Sequence, residues 1–141
     1  MRGIRFSVAA GDEFSVELDS GRVLRYGRIR QMKDAKTGKF RHIGKIMRQG
    51  RKMDFSLWGG VVTENASQGL ARDIFSDMMV RVEEAGYDVI MHVHDELVVE
   101  VDEGKAEQAL QEIIQIMSTP PEWIPTIPLS AEGKIMNVYS K

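Results

Sequence analysis

The stretch V-I-M-H-V-H-D-E-L-V-V-E-V-D, residues 89–102, decides the fold. Val89, Ile90 and Met91 on one side and Leu97, Val98 and Val99 on the other flank a polar centre, His94, Asp95 and Glu96. Short runs of apolar and β-branched residues interrupted by polar ones read as strands. The simplest geometry is a tight β-hairpin with those three polar residues at or near its turn. Asp-Glu is not among the favoured turn pairs, such as Asn-Gly or Asp-Gly. Unfavourable residues at a turn point to chemistry, because local rules fail most often at functional sites. Adjacent carboxylates on a rigid tip offer hard oxygen ligands, which suit Mg2+ or Mn2+.

Upstream of the hairpin, Ala66, Leu70, Ile74, Met78 and Val82 recur every four residues, with Phe75, Met79 and Ala85 beside them. This predicts an amphipathic helix of about six turns. Thr63 is its expected N-cap, Glu64 sits in its first turn, and Gly86 ends it. Downstream, Asp102 is the expected cap of a second helix with the apolar face Ala106, Ala109, Leu110, Ile113, Ile114 and Met117. Pro120 and Pro121 stop that helix, and residues 127–134 are expected to supply a final strand. Earlier in the chain, residues 14–18 and 22–26 read as a hairpin around the turn Asp19-Ser20-Gly21. A second turn is expected over residues 32–39 and another strand over 40–46. Residues 1–13 lack pattern and read as a poorly ordered start. Strands joined by tight turns are antiparallel, so the fold class is α+β: an antiparallel sheet with a central β-hairpin, covered by two main helices.

The chain has 141 residues, no cysteine, 43% hydrophobic residues and a formal net charge of −2. One globular domain fits this length and composition. Without cysteine there is no thiol catalysis, disulfide framework or cysteine zinc site, and a cytoplasmic location is expected. No apolar run is long enough to span a membrane, and no signal peptide opens the chain. Arginine and lysine run through residues 22–52 with Asp34 the only acid among them. The acids concentrate after Met53. A basic half could face phosphates while an acidic half binds metal; the plain alternative is a solvated, partly flexible loop.

His94-Asp95-Glu96-Leu97-Val98-Val99-Glu100-Val101 follows an apolar strand and a helix carrying Gln68-Gly69-x-Ala71-x-Asp73. This set resembles the C-terminal palm of a family A, DNA polymerase I-like, DNA polymerase, with His-Asp-Glu as that family's motif C. Trp58-Gly59-Gly60, Thr63-Glu64-Asn65, Pro120-Pro121-x-Trp123 and Ala131-Glu132-Gly133-Lys134 resemble bacteriophage-type members. The resemblance implies an α+β palm fragment, with residues 1–57 a basic hairpin and loop region and residues 58–141 the palm helix, motif C hairpin, second helix and terminal strand. It implies nucleotidyl transfer onto primer–template DNA from deoxynucleoside triphosphates in DNA replication, with Mg2+ or Mn2+ as cofactor. It implies that Asp95 is a metal ligand, with Glu96 beside it shaping or joining the site, and that His94 approaches the primer terminus. It implies DNA contacts from Gln68, which can sense minor-groove acceptors common to all base pairs, from Asn65, as a substitute where this chain has Glu64, and from Arg72, toward a phosphate. His92 lies two residues before His94 and reads as an ordinary strand histidine.

The same family needs a motif A, Asp-Tyr-Ser-x-x-Glu, and a motif B helix with Arg, Lys and Tyr. Neither occurs in these residues. The expectation is therefore a fragment of a larger polymerase, inactive alone, with the remaining regions supplied in cis or in trans. Two other classes stay open: a non-catalytic nucleic-acid-binding remnant that uses the basic stretch, and a small metal-dependent phosphodiesterase built on His92, His94, Asp95 and Glu96.

Overall fold

The computed structural model describes residues 3–139. The chain divides into two compact units, Met1–Ala71 and Arg72–Lys141. The class is α+β, with small antiparallel sheets and two helices.

The first unit holds two three-stranded antiparallel sheets. Strands β1 (Arg5–Ala9), β2 (Glu13–Glu17) and β3 (Val23–Arg28) form one, and β4 (Arg30–Lys33), β5 (Phe40–Arg48) and β6 (Arg51–Leu57) form the other, each in sequential order. The β2–β3 turn forms as expected: the Leu18 amide donates to the Arg22 carbonyl at 2.8 Å and the Gly21 amide to the Leu18 carbonyl at 2.9 Å. The β4–β5 turn is closed by the Asp34 carboxylate, which accepts the Lys36 and Thr37 amides at 2.9 and 2.8 Å. Those bonds, led by the Thr37 amide, hold the Asp34 carboxyl below its ordinary value. Val16, Leu18, Tyr26, Leu57, Val62 and Ala66 form the core of this unit. Burying a Val or Leu side chain fully stabilises by about 1.5–3 kcal/mol.

Two expectations are corrected here. The start of the chain carries β1 instead of an unstructured lead, although residues 1 and 2 lie outside the described residues. The basic stretch is not a flexible loop: the strands expected over residues 22–26 and 40–46 form, and β4 and β6 add to them; the side chain of Arg48 lies outside the described residues.

Helix α1 (Gly59–Glu84) runs from the first unit into the second. It starts one turn before Thr63, since the Val62 amide already donates to the Trp58 carbonyl at 3.2 Å. Thr63 therefore sits inside the helix and caps nothing, and no acid lies in the first turn. The early start needs Gly60: a Cβ there would lie 2.0 Å from the Trp58 ring. The far end is as expected. Gly86 adopts φ 92°, its amide donates to the Glu83 carbonyl at 2.9 Å, and the Tyr87 amide donates to the Val82 carbonyl at 3.3 Å. This pair of bonds is the Schellman arrangement, which requires a left-handed residue after the helix.

In the second unit β7 (Asp88–Val93) and β8 (Glu96–Glu100) form the hairpin. A 3-10 turn (Glu103–Lys105) leads into α2 (Ala106–Ser118). Asp102 heads that 3-10 turn instead of α2; its carbonyl takes the Lys105 amide at 2.9 Å and its side chain makes no cap bond. Thr119 is extended at φ −92° and ψ 119°, as a residue before proline must be, and α2 ends there. Residues 127–134 form no strand. Pro125 and Pro128 remove ladder donors just where a strand would pair, and the segment is fixed instead by packing on α2. The Ala131 amide donates to Ser118 Oγ at 3.1 Å, and a Cβ on Gly133 would lie 2.6 Å from Leu110 Cδ1. Ile74, Phe75, Met78, Val82, Ala109, Pro121 and Ile124 are buried in this unit. Among the described residues no helix is long and apolar enough to cross a membrane.

Gly86→Ala places a Cβ at a left-handed position and is expected to cost about 1–2 kcal/mol. Urea unfolding measures this as a lower midpoint with an unchanged slope.

Candidate active site

Two residues, His94 and Asp95, make the whole loop between β7 and β8, because Val93 pairs directly with Glu96. His94 has φ 57° and Asp95 does not share the positive sign. A left-handed first position alone is the signature of the II′ class, which matches the twist of hairpin strands but usually takes glycine there. The expected turn is thus shifted by one residue: Glu96 is the first residue of β8, not part of the loop. Both His94 and Asp95 are exposed.

The ladder has a bulge at Ile90, between the pairs Val89–Val99 and Met91–Val98. Beyond it His92 opposes Leu97 and Val93 opposes Glu96. Neighbours along a strand face opposite sides, so His92 and Glu96 leave the hairpin on different faces. His92 instead meets Phe75 of α1 edge-on, ring centroids 6.1 Å apart. It stays exposed beside that ring, and among the described residues the hairpin does not gather His92, His94, Asp95 and Glu96 into one cluster.

Asp95 and Glu96 do share a setting. Both line a cavity of about 670 Å3 that also touches Leu97, Leu110, Lys134 and Tyr139. The Tyr139 hydroxyl donates to Glu96 Oε2 at 3.1 Å. Burial first, and the neighbouring Glu96 carboxylate second, push the Tyr139 phenol above its ordinary value. Nothing in the sequence pattern marked Tyr139, since the partners lie far apart along the chain. Asp95 has no ion pair among the described residues. The donors are hard oxygens, the type that Mg2+ and Mn2+ prefer. Their number falls short, because no group of three His, Cys, Asp or Glu side chains among the described residues could hold an ion. What is present fits one side of a divalent-cation site.

On α1, Asn65 and Gln68 are both exposed and three residues apart, so they share one side of the helix. The Asn65 amide donates to the Tyr26 hydroxyl at 3.1 Å. That bond ties Asn65 to β3 and orients it. The carbonyl of Gly69, next to Gln68, accepts Arg22 Nη2 at 2.6 Å, and a Cβ on Gly69 would lie 2.9 Å from Leu18 Cδ1. The Gln-Gly pair therefore joins an outward amide to a residue that must be small. Sequence reading identified Asn65 and Gln68 but not their supports, Tyr26 and Arg22. Arg72, the first residue of the second unit, is exposed.

Residues 31–141 match the family model described as DNA polymerase family A. Over 141 residues, 99% of this chain, the sequence is 36% identical to a protein of Bacillus phage SP02 named DNA polymerase. The chain spans 21% of that relative's length. No solved structure matches it.

His94 carries backbone strain that glycine would relieve. His94→Gly is expected to be more stable than His94→Ala by about 1 kcal/mol, reversing the usual order of these residues. Denaturant unfolding of the two variants checks this; equal stabilities would contradict the strained loop.

Proposed function

Since the chain belongs to family A of the DNA polymerases, we propose that it supplies one half of a nucleotidyl-transfer site within a longer polymerase, acting on primer–template DNA and deoxynucleoside triphosphates in DNA replication. In this reading residues 1–141 are one C-terminal palm portion, residues 1–57 its basic region and residues 58–141 its helix, hairpin and terminal segment. The observation that carries it is the bare carboxylate of Asp95 at the apex of a two-residue loop, with Glu96 beside it on the same cavity.

Asp95 and Glu96 would hold Mg2+ or Mn2+. When bound, such an ion supplies Lewis-acid stabilisation of the phosphoryl oxygens and of the attacking hydroxyl. Asp95 is the principal ligand. Glu96, fixed by Tyr139, shapes the anionic field and is the weaker ligand. His94 offers ring N–H groups to a phosphate or sugar oxygen at the primer end. Gln68 and Asn65 donate and accept at minor-groove positions shared by all base pairs, which tests pairing without reading sequence. Arg72 contacts a backbone phosphate.

One carboxylate-bearing loop is not enough for two-metal chemistry, which brackets both the attacking and the leaving oxygen. The second essential carboxylate and the nucleotide-gripping helix come from polymerase regions in cis or in trans. Purified chain given primed template, nucleotides and Mg2+ is expected to extend nothing. Adding a polymerase module that carries Asp-Tyr-Ser-x-x-Glu and the Arg/Lys/Tyr helix restores extension. In that mixture Asp95→Asn is expected to lower the rate by about 10³-fold or more while primer–template binding persists. Extension by the chain alone, or full activity of Asp95→Asn, overturns the proposal.

A further inference from the structure

The first unit contains a cavity of about 1060 Å3 that the polymerase reading does not use. Its cationic lining is Arg28, Arg30 and Lys45, and its aromatic side chains are Phe14, His42 and Trp58. Asp12 is the one carboxylate in the lining. The cations are positioned by the sheet. Arg30 opposes Ile43 on β5, and Lys45 opposes Asp54 on β6, so Arg30, Ile43, Lys45 and Asp54 lie on one face. Asp54 pairs with both Arg30 and Lys45. Those contacts, Lys45 foremost, hold the Asp54 carboxyl below its ordinary value. Each cation is still about half exposed, 51% in both cases. Exposed ion pairs are worth little, so a phosphate can join or replace Asp54 at small cost. Arg28 has no ion pair among the described residues.

Trp58 is 63% exposed. Its ring lies over Gly60, where a Cβ would come within 2.0 Å of the indole, so the glycine sets where the ring rests. An exposed indole beside one unpaired cation and two that share a single carboxylate is a combination that single strands use: phosphates on the cations, a base on the ring. A duplex offers no free base face to it.

We propose that this cavity binds single-stranded DNA, with Trp58 stacking on an unpaired base and Arg28, Arg30 and Lys45 holding the flanking phosphates. The site is built from residues of the first unit and does not depend on nucleotidyl transfer. The test uses the full chain and a fluorescein-labelled oligothymidylate of about a dozen nucleotides, followed by anisotropy and by tryptophan emission. Binding should quench an emission component that Trp58→Leu removes, and that variant should bind about tenfold more weakly. Arg28→Gln with Lys45→Gln should reduce the salt slope by about 1.4, from roughly 0.7 per phosphate contact on a single strand. Lys105→Gln, which removes a single charge in the second unit, should leave affinity and slope unchanged. Circular dichroism confirms that each variant folds. Wild-type affinity in the Trp58 or the double variant overturns the proposal. So does equally tight binding of a duplex or of heparin without quenching, which would mark a general polyanion surface.

Discussion

A loop of only two residues makes Val93 face Glu96, and the twist of the strands then forces the first loop residue into the left-handed region. His94 pays for that closure, at about 1–3 kcal/mol for a non-glycine residue held there. The return is position. Asp95 sits at the apex on a backbone with no slack, and Glu96 is locked into the ladder beside it. The other end of β7 is fixed as well. Gly86 and Tyr87 close the Schellman bonds at the end of α1, and β7 begins at the next residue, Asp88. Helix, strand and tip thus follow each other with no flexible spacer.

Much of this was legible in the sequence, for physical reasons that can be named. The four-residue recurrence from Ala66 to Val82 predicts α1 because one helical face is buried. Gly86 marks its end because few other residues tolerate φ near 92°. The hairpin was readable from its apolar runs, and its antiparallel pairing follows from the short turn. The family resemblance rested on ordered motifs, and the matching of residues 31–141 to DNA polymerase family A agrees with it.

What was not legible also has causes. The α1 start was placed at Thr63 because a Thr-Glu pair is a strong local cap signal, whereas the real start depends on Trp58 folding over Gly60. The alternation of Met53, Phe55 and Leu57 in β6 was present but masked by the surrounding charges. In β1 every residue is exposed, so no buried face imposed a pattern. The supposed strand at residues 127–134 failed because two prolines precede or interrupt it and its contacts are with a helix. At the site, the supports Tyr139, Tyr26 and Arg22 are long-range partners that local pattern cannot reveal. In the basic run the strands over residues 22–26 and 40–46 were legible but β4 and β6 were not, and the register between these strands is what lines up Arg30 and Lys45.

The central claim is that Asp95 presents half of a divalent-cation site. Titrating the 15N-labelled chain with Mn2+ while recording amide line broadening tests it most directly. The account predicts weak binding, with broadening centred on His94, Asp95 and Glu96 and reaching Tyr139. Broadening centred on another acidic stretch, such as Asp102 and Glu103, or spread evenly over the carboxylates, would contradict it.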